Sequence, residues 1–194
     1  MGAAAARNAH RPLLKLKLAD AEDLERVRAV RVNALASKLV VDANEGWSLD
    51  DYRQLAPQLA ALGVVMIEQP LPAGADEALA GVERPVPLCA DESCHDRRSL
   101  ARLAGRYDLI NIKLDKTGGL SEALKLREAA RAQGFGIMVG CMVGTSLAMA
   151  PAMLVAQGAE VVDLDGPLLL AEDRPGGLRF EGSLVQPPDA ALWG

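Results

Sequence analysis

The chain has 194 residues and a formal net charge of −5, with 50% hydrophobic, 24% charged and only 3% aromatic residues. This acidic balance argues against nucleic acid and anionic membranes as partners, and few aromatic side chains are present on which bases or sugars could stack. Three cysteines without a CxxC pair favour reduced thiols and a cytoplasmic location.

Apolar periodicity predicts an alternation of short buried strands and helices along the chain. After the end of an Ala-rich helix at 3–10, strands are predicted over 13–18, 38–42, 64–68, 86–91, 107–114, 135–141 and 160–165. Helices are predicted over 20–37, 48–62, 76–82, 96–105, 121–133 and 146–157, with Asp20 and Ser48 as caps of the first two. The uncharged stretch 134–159 contains glycines and a proline, which favour a strand, turn and helix over a membrane span.

The regular recurrence of strands is typical of right-handed parallel βαβ units. A doubly wound sheet is an alternative, but regular repetition favours an α/β fold of the (β/α)8 TIM-barrel type, incomplete, with seven parallel strands. We therefore predict one partial barrel domain over 1–194, with residues 166–194 as a C-terminal tail that wraps around the outside. The unpaired edge strands of such a partial barrel invite association into a homo-oligomer.

The strand predicted over 13–18 carries two lysines among leucines. Because side chains alternate between the faces of a strand, Lys15 and Lys17 point the same way. Neighbouring ammonium groups disfavour each other's charge and burial adds to that effect, so the pKa of such a lysine falls toward that of a general base. The alternative is an edge strand whose lysines face water and deter edge-to-edge pairing.

Acidic residues end the next three predicted strands, at Asp42, Glu68 and Asp91. The carboxyl ends of barrel strands are where barrel enzymes build their active sites, so these carboxylates are expected to converge. Three converging carboxylates need a cation, and hard oxygen ligands favour Mg²⁺. Each acid taken alone is more typical of a solvated loop or a helix cap.

Lys113 lies near the end of the strand predicted over 107–114. If the first visible strand is the second of eight, Lys113 belongs to the sixth, and these two strands lie on opposite sides of a barrel. Lys17 and Lys113 would then face each other with the metal-bearing strands between them. This arrangement predicts 1,1-proton transfer, which is racemisation or epimerisation, through a metal-stabilised enediolate.

Five short segments in a fixed order resemble one known family. They are Lys15–Lys17, Asp42–Trp47, Glu68–Pro70, Asp91–Ser93 and Ile112–Gly119. Together they resemble the muconate-lactonising subgroup of the enolase superfamily. The resemblance implies an acid–base pair of Lys17 and Lys113, a pKa-tuning neighbour in Lys15, and Mg²⁺ ligands at Asp42, Glu68 and Asp91. Asn44 and Glu92, beside these segments, are interpreted as hydrogen-bonding neighbours of the ligands.

Two later segments refine the expected substrate, a small dipeptide. Residues 140–146 and 163–167 resemble those of L-Ala-D/L-Glu dipeptide epimerases, in which two strand-end aspartates hold the free amino group of the dipeptide. This resemblance assigns Asp163 and Asp165 to an ammonium group, although the run Asp-Gly-Pro is also typical of a plain turn. Thr145 and Ser146 open a predicted helix, whose N–H groups favour a substrate carboxylate; simple N-capping is at least as good an interpretation.

Members of this superfamily also carry a capping domain before the barrel, and neither that domain nor a first barrel strand is recognised in the sequence. We therefore expect that Met1 is an internal methionine or that the chain is a fragment. A site without its lid admits water, so weak or no turnover by this chain alone is the expectation.

Several other functions stay open at this point. An N-acylamino acid racemase or o-succinylbenzoate synthase of the same subgroup would keep the lysines and the metal site, without any need for Asp163 and Asp165. Muconate-type cycloisomerisation is disfavoured because those aspartates would repel a diacid. The non-enzyme alternative is a catalytically dead fragment that acts as an interaction or structural module. A nucleotide-binding protein has little support, because no phosphate loop is present.

Overall fold

The computed structural model describes residues 1–18, 20 and 22–194. Contacts group the chain into two compact units. The first unit contains Met1–Ser93 and Leu103–Asp108, and the second contains Cys94–Arg102 and Leu109–Gly194.

Four parallel strands form the sheet of the first unit. They are β1 (Leu13–Lys17), β2 (Lys38–Asp42), β3 (Val64–Glu68) and β4 (Leu88–Ala90), in that spatial order. The unit also contains α1 (Gly2–Asn8), α2 (Asp23–Asn33), α3 (Leu49–Ala61) and a 3-10 turn at Asp76–Leu79. The strands predicted over 38–42 and 64–68 are confirmed with the same bounds, whereas those predicted over 13–18 and 86–91 are shorter in the structure.

Strand β2 has an apolar interior because both of its faces are covered. In β2, Leu39, Val40 and Val41 are all fully buried. Successive side chains of a strand point to opposite faces, so neither face of β2 is open to water. Functional polar groups can therefore stand only at the strand end, which is where Asp42 lies.

The two predicted helix caps of this unit have different outcomes. The Ser48 hydroxyl accepts a hydrogen bond from the Asp51 amide (3.1 Å) and caps α3 as predicted. The prediction of Asp20 as a cap is wrong, because α2 begins at Asp23 with Glu22 as its N-cap.

Asp20 instead serves the turn that precedes α2. Its carboxylate accepts from the Glu22 amide (2.9 Å) and pairs with Arg26 (2.7 Å), so it ties the residues before the helix to its first turns. The predicted span 20–37 was also too long, since α2 ends at Asn33. Ala21, within that span, and Ala19 lie outside the described residues.

The sheet of the second unit contains three parallel strands, β5 (Leu109–Ile112), β6 (Gly136–Val139) and β7 (Val161–Val162), in that order. Its helices are α4 (Leu100–Leu103), α5 (Leu114–Thr117), α6 (Leu120–Ala132) and α7 (Ser146–Val155), with 3-10 turns at Arg97–Ser99 and Gly166–Leu169. A small antiparallel hairpin of β8 (Phe180–Glu181) and β9 (Leu184–Val185) follows. The strand predicted over 107–114 was too long, because the chain turns into the single-turn helix α5 directly after Lys113.

The seven parallel strands confirm the predicted α/β fold class with an incomplete set of barrel strands. The assignment of 1–194 to one domain with a wrapping tail at 166–194 stays a prediction. Among the described residues, no helix combines the length and the apolar character that crossing a lipid bilayer requires.

Candidate active site

Three acidic side chains stand in the first unit at the ends of neighbouring parallel strands. Asp42 ends β2 and lies beside Glu68 in the register of β2 and β3, and Glu68 lies beside Cys89 of β4. Asp91 follows Cys89 by two residues, which is the spacing that keeps a side chain on the same face of an extended segment. All three carboxylates are buried, with at most 1% of each residue exposed.

Two lysines of β1 compensate the charge of these acids. The Lys15 ammonium lies 2.8 Å from Glu68 Oε2 and 3.2 Å from Asp42 Oδ2, and so bridges the two carboxylates. The Lys17 ammonium lies 2.5 Å from the same Asp42 oxygen. Their exposure differs: 16% of the Lys15 side chain is open to solvent, against 62% of that of Lys17. Lys17 is therefore the amine of this pair that a substrate could reach.

The acidic cluster carries more negative charge than its surroundings readily accept. Burial, together with the charges of Asp42 and Asp91, raises the pKa of Glu68 to about 7, against the opposing effect of the Lys15 ammonium. Burial and the nearby Asp91 charge also raise the pKa of Glu92. An added cation would relieve both effects.

The donor set of this cluster fits Mg²⁺. Three buried carboxylates on adjacent strand ends are hard oxygen donors, and buried charges of one sign require positive partners. Within the part of the chain that the structure describes, no group of three acidic, cysteine or histidine side chains is arranged so that it could hold a metal ion. Lys15 lies between Asp42 and Glu68 and supplies the positive charge that an ion would bring.

Asn44 and Glu92 link the Lys17 amine to the acidic cluster. Lys17 Nζ donates to Asn44 Oδ1 (2.7 Å), and Asn44 Nδ2 donates to Glu92 Oε1 (3.3 Å). The Asn44 amide also donates to Asp42 Oδ1 (3.0 Å). Asn44 adopts a positive φ of 44°, a conformation that asparagine tolerates better than most residues.

Sequence reasoning quoted Gln69 as part of the segment Glu68–Pro70 but gave it no role; it is fully buried. Its side-chain oxygen accepts hydrogen bonds from the amides of Asp91 (2.9 Å) and Ser93 (3.1 Å). Its place in that segment, directly after a buried strand, was a signal for it, but nothing local indicated partners more than twenty residues away.

The second unit holds the other predicted side chains. Lys113 is buried at the N-cap of α5, Asp163 is half-buried after β7, and Asp165 is exposed before the turn at Gly166–Leu169. These three groups all act on the Cys141 thiol: burial and the charges of the two aspartates raise its pKa to about 11, against the opposing effects of a backbone hydrogen bond at Gly166 and of the Lys113 charge. The structure thus brings Lys113, Asp163 and Asp165 within electrostatic reach of one thiol that the sequence did not single out.

Thr145 and Ser146 stand at the start of α7, as predicted, with Thr145 as the N-cap. No side-chain capping bond is made by Thr145. Instead, Asp173 from the C-terminal segment accepts hydrogen bonds from the Ser146 amide (3.0 Å) and from the Ser146 hydroxyl. The Leu178 amide donates to the same hydroxyl (2.8 Å). The helix start therefore holds a carboxylate, and that carboxylate belongs to the chain itself.

The fold and the site together define an α/β domain of the parallel-barrel type, with buried acids and lysines at its strand ends. The chain belongs to the enolase C-terminal domain-like family, whose model matches residues 1–191. The resemblance inferred from five short segments is thereby confirmed.

Two curated relatives are similar over most of the chain. It is 51% identical over 183 residues to an N-acetyl-D-glutamate racemase of Pseudoalteromonas, covering 94% of this chain and 58% of that protein. It is 49% identical over 168 residues to the L-Ala-D/L-Glu epimerase of Escherichia coli, covering 87% and 52% respectively. The chain thus spans little more than half the length of these relatives.

One solved structure matches the whole chain. It is an enolase family member from Agrobacterium tumefaciens with homology to dipeptide epimerases, with bound sodium and L-Ala-L-Glu. The TM-score is 0.97 at 58% sequence identity, and the match covers 100% of this chain and 59% of that one. This likeness confirms the barrel-type fold over the full sequence given.

Proposed function

We propose that the chain carries the catalytic machinery of a Mg²⁺-dependent isomerase that inverts the α-carbon of an N-acylated glutamate, foremost in the dipeptide L-Ala-D/L-Glu. The observation that carries the proposal is the cluster of three buried strand-end carboxylates whose charge is compensated by Lys15 and Lys17. Such a cluster is costly to bury unless it serves to bind a cation.

The two curated relatives support one reaction on two related substrates. In L-Ala-L-Glu the alanine carbonyl acylates the glutamate nitrogen, and in N-acetylglutamate an acetyl group does so. Both names therefore describe inversion at the α-carbon of glutamate with an acylated nitrogen. The shared chemistry is removal of the α-proton from one face and its return to the other.

Asp42, Glu68 and Asp91 are the residues proposed to hold the ion, with Asn44 and Glu92 orienting them through hydrogen bonds. Bound Mg²⁺ would supply positive charge that stabilises the negative charge developing on the substrate carboxylate as the α-proton leaves. The chain's own task is to keep three oxygen donors together in a dry site. Lys15 assists by screening their mutual repulsion while the ion is absent.

Lys17 and Lys113 are proposed as the two bases. One amine accepts the α-proton at its Nζ and becomes an ammonium group, while the other begins as an ammonium group and donates its proton to the opposite face of the carbon. The exposure of Lys17 and its hydrogen bond to Asn44 fit an amine held ready for a substrate. In the second unit, Lys113 is buried beside the start of α5.

Asp163 and Asp165 are proposed to bind the free ammonium group of the dipeptide. Both carry negative charge beside Cys141, and neither is fully buried, so an incoming cation could reach them. Thr145 and Ser146 are proposed at a substrate carboxylate. Since Asp173 already occupies the amide of Ser146, a substrate would have to displace it.

Racemisation of N-acetylglutamate is the second candidate, favoured by the 51% identity to a racemase with that name. This substrate has no ammonium group, so it gains nothing from two aspartates. The presence of Asp163 and Asp165 therefore favours the dipeptide. A cytoplasmic site of action is also proposed, in keeping with three cysteines that form no disulfide among the described residues.

The test is exchange of the α-proton in D₂O, followed by NMR with L-Ala-L-Glu and with N-acetyl-L-glutamate. The chain should be assayed alone and within the longest open reading frame that carries it, with Mg²⁺ and after chelation. We expect Mg²⁺-dependent deuterium incorporation at the glutamate α-carbon, faster with the dipeptide. Faster turnover of N-acetylglutamate would favour the second candidate. No exchange with either substrate in any form of the protein would favour a non-catalytic module.

A further inference from the structure

We infer that Gln69 is the positioning residue that sets the spacing of the three metal-binding carboxylates. This inference rests on the proposed Mg²⁺ site and extends it to a residue that contacts neither the ion nor the substrate. Gln69 directly follows the end of β3 and is hydrogen-bonded to β4, to the segment that carries Asp91 and to the loop that follows β2.

The side-chain oxygen of Gln69 holds the segment that carries Asp91. Asp91 lies just past the end of β4 at Ala90, so the strand ladder no longer fixes its backbone. Gln69 Oε1 fixes this segment instead, because it accepts hydrogen bonds from the amides of Asp91 (2.9 Å) and Ser93 (3.1 Å). The place of the third carboxylate therefore depends on this one amide oxygen.

The main chain of Gln69, which directly follows Glu68, bonds to β4 and to the loop after Asp42. Its amide donates to the carbonyl of Cys89 (2.9 Å), and its carbonyl accepts from the amide of Glu45 (2.9 Å), which belongs to the loop after Asp42. Both Gln69 and Glu45 have positive φ, at 37° and 63°, which are uncommon for residues other than glycine. Strained backbone at two such points persists only where the surroundings enforce it.

The orientation of the Gln69 side-chain amide is fixed by the hydrogen bonds that its Nε2 group donates. Nε2 donates to the carbonyl of Leu71 (2.8 Å), to Ser93 Oγ (2.9 Å) and to the Tyr107 hydroxyl (3.0 Å). A carbonyl only accepts and the amides of Asp91 and Ser93 only donate, so the group cannot be reversed without losing three bonds.

The Gln69 amide and the side chains that it contacts are shielded from solvent. Gln69, Ser93 and Tyr107 are all buried, and burial raises the pKa of the Tyr107 hydroxyl strongly. Removing the Gln69 amide would remove the acceptor that the amides of Asp91 and Ser93 share in the structure, and the Asp91 segment would lose the two bonds that tie it to β3.

The experiment measures Mg²⁺ affinity by titration calorimetry for the wild-type chain, Gln69→Met and Ser93→Ala. Methionine keeps the volume of the glutamine side chain but neither accepts nor donates as the amide does. We expect Gln69→Met to weaken Mg²⁺ binding about 10- to 100-fold, as loss of a partner behind metal ligands typically does. Ser93→Ala keeps the bond to Asp91, so it should weaken binding by less than Gln69→Met.

Leu59→Ala is the matched control for lost stability, because Leu59 is fully buried in α3 of the same unit and does not stand at a strand end. It should unfold more easily yet bind Mg²⁺ as the wild type does. Should Gln69→Met fail to fold, the Mg²⁺ affinity of Ser93→Ala is compared with that of Leu59→Ala. A lower affinity of Ser93→Ala supports the positioning role. Unchanged affinity in Gln69→Met, or in Ser93→Ala where only that variant folds, overturns the positioning role. Absence of Mg²⁺ binding by the wild type would instead overturn the proposed function.

Discussion

The acidic residues of the two proposed sites, one in each unit, differ in how deeply they are buried. In the first unit, Asp42, Glu68 and Asp91 are buried, and Lys15 and Lys17 already neutralise part of their charge. In the second unit, the proposed substrate acids are half-buried or exposed. Buried carboxylates need positively charged partners within the protein and suit a permanently bound ion. Exposed carboxylates can be reached by a charged ligand from solvent.

For the two proposed bases the contrast in burial is reversed, because the exposed base lies in the first unit and the buried base in the second. Lys17 is exposed and ion-paired to Asp42, whereas Lys113 is buried at the start of α5. A lysine in solvent needs a neighbour to hold its amine in place, and a buried lysine is held by its surroundings. Two bases in such different settings can begin the reaction in different protonation states, as a two-base inversion requires.

The largest expected effect comes from removing either base. Lys17→Ala and Lys113→Ala should each lower the rate of inversion by about 10³-fold, within the range that general acid–base catalysis contributes. Each variant should still exchange the α-proton of the one stereoisomer that faces the remaining lysine, which D₂O incorporation measured separately for the two stereoisomers detects.

Lys38→Ala is the control for both variants, because Lys38 is exposed at the opposite end of β2. It should retain the wild-type rate. Retention of more than a tenth of the rate in either base variant would remove that lysine from the mechanism (one-tenth corresponds to about 1.4 kcal/mol of barrier).

A smaller effect is expected from the acids of the second unit. Asp163→Asn and Asp165→Asn should each raise KM for L-Ala-L-Glu about 10- to 100-fold, the value of a hydrogen bond to a charged group, and leave N-acetylglutamate unaffected. Steady-state kinetics on both substrates measures the difference. Asp189→Asn, at an exposed position of the same unit, should change neither. Equal losses on both substrates would show that these aspartates serve the fold instead of the ammonium group.

The smallest effect concerns the start of α7. Asp173→Ala should lower the free energy of unfolding by about 1–2 kcal/mol, since it removes the acceptor of the Ser146 amide and hydroxyl. Denaturant titration measures this loss. Glu172→Ala, the exposed neighbouring acid, should change stability by less than about 0.5 kcal/mol. Equal stability of Asp173→Ala and wild type would contradict the capping role.

Much of the first unit could be predicted from the sequence because its signals are local. Continuous apolar runs locate β2 and β3, and a single acid at the end of each run identifies the candidate ligands. The pairing of Lys15 and Lys17 on one face follows from strand geometry alone. These features need no knowledge of distant contacts.

What sequence reasoning missed depends on contacts between distant residues. The partners of Gln69 lie up to 38 residues away, and Asp173 lies 27 residues from Ser146. The strand predicted over 107–114 was too long because Tyr107 and Leu114 are apolar enough to continue the pattern. In the structure Tyr107 instead meets Gln69, and Leu114 opens α5.

The central claim is that the buried acids of the first unit form one Mg²⁺ site, and titration calorimetry on the wild-type chain and Glu68→Gln tests it most directly. Glu77→Gln, an exposed acid of the same unit, is the control. The account predicts one Mg²⁺ per chain for wild type and Glu77→Gln, and loss of that binding in Glu68→Gln. Absence of binding by the wild type, or equal binding by Glu68→Gln, would contradict it.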